Sequence, residues 1–147
     1  MSAKQSSNKI FMVEPREFYS NPQTEGSNHY QMKSANDEKQ LILDKALIEF
    51  HNFKNNLEKN GVEILCLKGI EGCPDHIFPN WFTTFEDKTM QIFPMNAENR
   101  RKEKTPEMIN ELCEIYKIQN DYGYLELEDI FLESTSSMVF DLSLIHI

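Results

Sequence analysis

The segment "CPDHIFPNWFTTFEDKTMQIFPMNAENRR", residues 73–101, gathers a thiol, a carboxylate, an imidazole, an amide and the chain's one tryptophan into its first nine residues. It closes on two arginines. Cys73, Asp75 and His76 invite comparison with a thiolate–imidazole pair or a metal site. Zinc needs four ligands, or three and an open position, at regular spacing. Here one Cys-x-x-His stands without a second half, because Cys66, Cys113, His29 and His51 lie elsewhere in the chain. No metal or other cofactor is expected. A nucleophilic Cys73 would need a neighbouring cation or helix N-terminus to lower its pKa, and the sequence places neither beside it. Cys73 therefore reads as a loop thiol and Cys66 as a buried one.

Asn80 sits between Pro79 and Trp81. An amide beside an aromatic ring suits a flat cation, which the ring faces while the amide oxygen accepts a hydrogen bond. The same residues suit a plain turn that buries Trp81 and Phe82. Glu133, in "IFLESTSSMVF", is an acid between an apolar run and four small hydroxylic residues. Such a carboxylate can reach a cavity and pair bidentately with a guanidinium, or it can be a surface acid at a strand end.

These residues must be held by elements the pattern makes visible. "KIFMV" reads as a short buried strand ended by Pro15, and residues 14–36 as one long loop. Residues 37–60 predict a helix whose stripe is Leu43, Ala46, Leu47, Phe50, Phe53 and Leu57, closed by Gly61. "VEILCLK" follows as a strand, and then "HIF", "WFTTF" and "TMQIFPM" as further strand text, the last two joined as a hairpin by "FEDKT". Thr105-Pro106-Glu107 opens a second helix with a hydroxyl cap, a first-turn proline and an acid. Its apolar face is Met108, Ile109, Leu112, Ile115 and Tyr116. "YLEL" and "SMVFDL" are two more candidate strands. The order β, loop, α, β, β, β, α, β, β is that of an α/β fold with small sheets or one mixed sheet.

A net charge of −9 excludes a nucleic-acid groove, which needs clustered Lys/Arg, and it tolerates cationic small ligands. No run of 18 apolar residues predicts a membrane span, and "MSAKQSSNK" lacks the apolar core of a secretory signal. Three irregularly spaced cysteines read as reduced thiols in a cytoplasmic protein.

The texts "FMVEPREFYSNPQTEGSNHYQ", "ALIEFHNFKNNLEKNGVEILCL", "PDHIFPNWFTTFEDKTMQIFPMNAENRRKE" and "FLESTSSMVFDL" stand in the order found in citrulline-utilisation-type hydrolases. Over residues 10 to 141 the chain thus resembles the arginine deiminase / amidinotransferase superfamily. The resemblance implies a partial α/β propeller (pentein-like), about the first two of five ββαβ units around a central channel. It implies a Cys/His mechanism in which a thiolate attacks the guanidinium carbon and a histidine moves protons. It also implies a small guanidino or ureido amino acid as ligand. Carried over by position, Glu133 is the guanidinium-binding acid, Asn80 the polar residue after "FP", and Asp75 a second candidate. Asn28 and Gln31 would line the channel mouth. Asn99, Arg100 and Arg101 match a signature, the two arginines being taken as substrate-binding.

Three departures qualify this. The family text has two asparagines before the tryptophan, where this chain has Asn80 alone. The glycines after the family's acid are Ser134 and Ser136, which a left-handed backbone would strain. The family's catalytic cysteine and histidine lie downstream of the acid, at places that Cys66, Cys73 and Cys113 do not occupy. Residues 1–9 are expected to be disordered, and 142–147 ("LSLIHI") to be a truncation or non-native tail, so His146 is not cast as the catalytic histidine. The expectation is the N-terminal part of a guanidino-group hydrolase without its catalytic residues. Uncovered sheet edges would then favour self-association. The alternative is a non-catalytic guanidinium-binding module on the same scaffold.

Overall fold

The computed structural model describes residues 7–26 and 38–138. Asn28, Gln31, His29 and the tail with His146 lie outside these, as does most of the strand expected at "SMVFDL".

Strand β1 (Lys9–Glu14) leads through helix α1 (Lys39–Lys59) to strand β2 (Glu63–Lys68), and the two strands pair in parallel. Their register opposes Lys9 to Glu63 and Glu14 to Lys68, so each end of the ladder faces a positive residue with a negative one. At the first end Lys9 Nζ reaches Glu63 Oε1 at 2.6 Å. A one-residue slip would break both matches and turn the apolar side chains outward. Helix α1 ends as expected, with Gly61 at φ +83° after the last turn. Its stripe is only partly used: Phe50 is buried, whereas Phe53 and, off the stripe, Leu41 and Ile48 are exposed. A two-stranded sheet is too narrow to cover a 21-residue helix.

The second sheet has the order β3-β4-β5, from Phe82–Thr84, Thr89–Ile92 and Lys117–Asp121. The expected hairpin is there: β3 and β4 are antiparallel, with Asp87 accepting from Thr89 N–H (3.0 Å) and hydroxyl (2.7 Å) to shape the turn. Chain direction then reverses through two helices, α2 (Glu98–Arg101) and α3 (Pro106–Cys113), so that β5 runs parallel to β4. The cap of α3 is as read from sequence, with Thr105 Oγ1 accepting from Met108 N–H at 3.2 Å. A 3₁₀ helix (Gly123–Glu128) and the short helix α4 (Ser134–Ser137) complete the described chain.

Two strand expectations are corrected. "HIF" lies in a run of tight turns, closed by Phe78 N–H on Asp75 O and Asn80 N–H on Phe78 O. "YLEL" forms the 3₁₀ helix. Its apolar–polar alternation imitates a strand, but the tighter helix swings Glu126 inward onto Met95 N–H and Lys104 and leaves Leu127 91% exposed.

One core joins both sheets. Val13 from β1 meets Trp81, Phe82, Met90, Ile92, Met95, Met108 and Leu112, and Phe11 stands edge-on to Phe82 with ring centres 5.0 Å apart. Among the described residues no helix is long and apolar enough to cross a membrane. Leu112 is fully buried on α3, so Leu112→Ala should remove about 2–5 kcal/mol of stability in urea denaturation. A loss under about 1 kcal/mol would contradict this packing.

Candidate functional site

The turn between Cys73 and Asn80 is held from outside. Burying its polar groups requires partners for them, and these come from the loop after β1 and from α2. Asp75 accepts from Asn21 Nδ2 at 2.7 Å and from the Thr24 hydroxyl at 3.4 Å. Asn21, fully buried, exchanges amide hydrogen bonds with Asn99 (2.8 and 3.2 Å), and Asn99 N–H donates to Gln23 Oε1. The thiol of Cys73 donates to the Asn99 carbonyl at 3.0 Å.

Helix α2 explains the "NRR" text. Asn99 holds the start of the turn through Cys73 and Asn21. Arg100, 6% exposed, donates from Nη2 to the Phe78 carbonyl near the turn's end, and its Nε lies 2.7 Å from Glu103 Oε1. Arg101 points the other way, donating to Met95 O (2.9 Å) and Asn96 O (3.0 Å) with its guanidinium over the Phe131 ring. The two adjacent arginines brace different pieces of backbone.

Glu103 is fully buried, and both of its carboxylate oxygens lack an aligned hydrogen-bond donor among the described residues despite the close Arg100. Burial pushes its pKa up to about 8; Arg100 opposes the shift, and the charges of Asp75 and Glu133 add to it. Two further acids therefore share the neighbourhood of Glu103. His76, also buried, is pushed down to about 4 by burial and by Arg100. Its Nδ1 accepts from Ile70 N–H at 3.3 Å, which makes it a neutral, structural imidazole. Burial and the Glu103 charge raise Cys73 to about 11, so it is a thiol at neutral pH. Cys66 is half-buried rather than a core thiol, and Cys113 is exposed. No three His, Cys, Asp or Glu among the described residues are grouped to hold a metal.

Of the residues singled out by sequence, Arg100 contacts Glu103 directly, and the charges of Asp75 and Glu133 act on it more weakly. Glu133 accepts from Asn96 N–H at 3.2 Å and precedes Ser134, whose hydroxyl docks on the Phe82 carbonyl (3.2 Å) and Thr83 of β3. Asn80 stands two residues before that same strand. Trp81 is fully buried, so the turn-burying reading holds for its ring. Ser134 and Ser136 lie in right-handed α4, where no left-handed backbone is required. Sequence reasoning missed Asn21 and Glu103. Asn21 immediately precedes Pro22, a turn signal inside the long loop, and Glu103 follows Arg100 at i+3, the spacing of a helical ion pair. A hollow of about 240 Å³ lies elsewhere, between Arg16, Tyr19, Lys39 and Glu71.

Residues 14–147 match the family model of N,N dimethylarginine dimethylhydrolase, eukaryotic, and the chain belongs to that family. It therefore falls in the pentein superfamily. Among solved structures, the crystal structure of unliganded AgrE is similar, with a TM-score of 0.58 and 17% identity over 86% of this chain. The chain spans 17% of the AgrE chain. No curated protein matches.

Glu103 yields a pH prediction with a definite sign. Between its ordinary 4.5 and about 8 the unfolded chain releases this proton while the native chain keeps it, so stability falls as pH rises. His76 acts oppositely: between about 4 and 6.5 the unfolded imidazole binds a proton that the native one refuses, so stability rises with pH. Above pH 6.5 the Glu103 effect stands alone. Denaturation of the wild type should show declining stability from pH 6.5 to 8, and Glu103→Gln should flatten that decline; an equal slope in both would contradict the assignment.

Proposed function

We propose that this chain forms one wall of a guanidinium channel in a guanidino-group-modifying hydrolase. It would be about the first two of five ββαβ units of a partial propeller, in a cytoplasmic protein with reduced thiols. The ligand class is a small arginine-like or citrulline-like amino acid, the first being the class in the matched family's name. Asp75 and Glu133 would supply negative charge and Asn80 an amide oxygen to a planar head group, with Asn28 at the channel mouth. Arg100 and Arg101, engaged with backbone carbonyls, would support the wall rather than touch the ligand.

The observation that carries this reading is the family match over residues 14–147. Glu103 holds its proton chiefly because it is buried; the charges of Asp75 and Glu133 add to that effect, and Arg100, beside it, opposes it. A delocalised monocation would bring positive charge to Asp75 and Glu133 and could donate paired hydrogen bonds to their carboxylate oxygens.

The reaction of this class needs a thiolate nucleophile and a proton-moving histidine. Cys73 is buried and protonated, burial raises Cys66, and His76 is neutral with both ring nitrogens shut from solvent. We therefore infer that none of Cys66, Cys73 and His76 fills these roles. The same thiol chemistry favours, as second reading, a non-catalytic guanidinium-binding module built on this wall.

Calorimetry separates these from an unrelated role. Arginine or citrulline should bind at ~1 mM or tighter, and Glu133→Ala should abolish the binding; absence of binding to the wild type would overturn the grip. The purified chain should release neither ammonia nor urea from arginine-like substrates. Measurable turnover would show that one of its own cysteines is the nucleophile.

A further inference from the structure

The "NRR" text has no ligand-contacting role in the reading above, yet two of its members are buried. Asn99 and Arg100 are consecutive residues of a four-residue helix, and they grip the 73–80 turn at two places. Asn99 O takes the Cys73 thiol, and Arg100 Nη2 donates to Phe78 O. Asp75 lies between the two grips and Asn80 two residues past the second. Within the turn, Phe78 N–H closes on Asp75 O (2.9 Å) and Asn80 N–H on Phe78 O (2.7 Å). The Phe78 carbonyl thus receives both Arg100 and the amide of Asn80. Losing Arg100 would leave that carbonyl with the strained, near-adjacent contact alone. At its Nε the same guanidinium lies 2.7 Å from Glu103 Oε1.

We propose that Arg100 is a positioning residue: by spanning Glu103 and the Phe78 carbonyl it sets the turn that presents Asp75 and Asn80 together to the cationic head group. This rests on the guanidinium-wall reading for the ligand, but the clamp itself does not. An arginine suits the post better than a lysine, because its planar fork addresses two partners in different directions at once. Arg101, one residue on, serves the 95–96 backbone and cannot substitute.

The test is amide hydrogen exchange by NMR on the full chain, in the wild type, Arg100→Lys and Arg100→Gln, with arginine titrated into each. The Phe78 and Asn80 amides should exchange about tenfold faster in both variants, the scale of one lost hydrogen bond to a charged group. The β1–β2 ladder amides, from Phe11 to Leu67, should keep their protection, and arginine affinity should fall about tenfold. Full protection retained in Arg100→Lys would overturn the proposal, because charge alone would then suffice. Protection lost equally in turn and ladder would also overturn it, reducing Arg100 to a general stability role. If the wild type binds no arginine, the guanidinium-wall reading fails, and the exchange comparison still decides whether Arg100 sets the turn.

Discussion

Burying a guanidinium beside a carboxyl group is the constraint on which the site depends. Taking Arg100 and Glu103 out of water costs several kcal/mol for each charged form, and a lone Arg100–Glu103 contact recovers this only with further hydrogen bonds. Arg100 finds one at Phe78 O, whereas Glu103 finds none that is aligned. The protein meets the deficit by letting Glu103 keep its proton up to about pH 8. A neutral carboxyl group is tolerable in the interior where an unpaired carboxylate is not. The arginine then remains a net cation beside a neutral Glu103.

From that constraint the local architecture follows. A turn carrying Asp75 has little regular structure of its own, so its shape is borrowed from α2 and from the Asn21–Thr24 segment. These supports come from positions far apart in sequence, and the core beneath them holds the segments in register: Trp81 and Phe82 anchor the turn's exit, Met95 the entry to α2. Ser134 fastens the segment bearing Glu133 to β3 through a hydroxyl that a glycine could not supply. The chain belongs to the dimethylarginine dimethylhydrolase family and is similar in fold to AgrE.

Much of the fold was legible in the sequence, for reasons that differ by element. Helix α1 and the hairpin β3–β4 show through because their periodicity and turn residues agree with their tertiary setting. α3 shows through from its Thr105-Pro106-Glu107 opening and the apolar face behind it. β5 was missed because "KIQND" offers Ile118 as its one apolar residue; it is a strand by virtue of its parallel partner β4 rather than by pattern. "YLEL" misled because alternation over four residues cannot separate a strand from a 3₁₀ turn. At the candidate site, motif text singles out Asp75, Arg100 and Glu133, but a motif says nothing of what each arginine fork touches. The partners that define the cluster, Asn21 and Glu103, are recognisable only once the loop after β1 is folded over α2.

The account's central claim is that the acids around the 73–80 turn and at Glu133 form one cation-binding wall. Chemical-shift mapping of arginine titrated into isotopically labelled protein tests it most directly. The account predicts that the amides of Asp75, Asn80 and Glu133 shift together with one common saturation curve. Shifts confined to the hollow between Arg16, Tyr19, Lys39 and Glu71, or spread without saturation over the acidic surface, would contradict it.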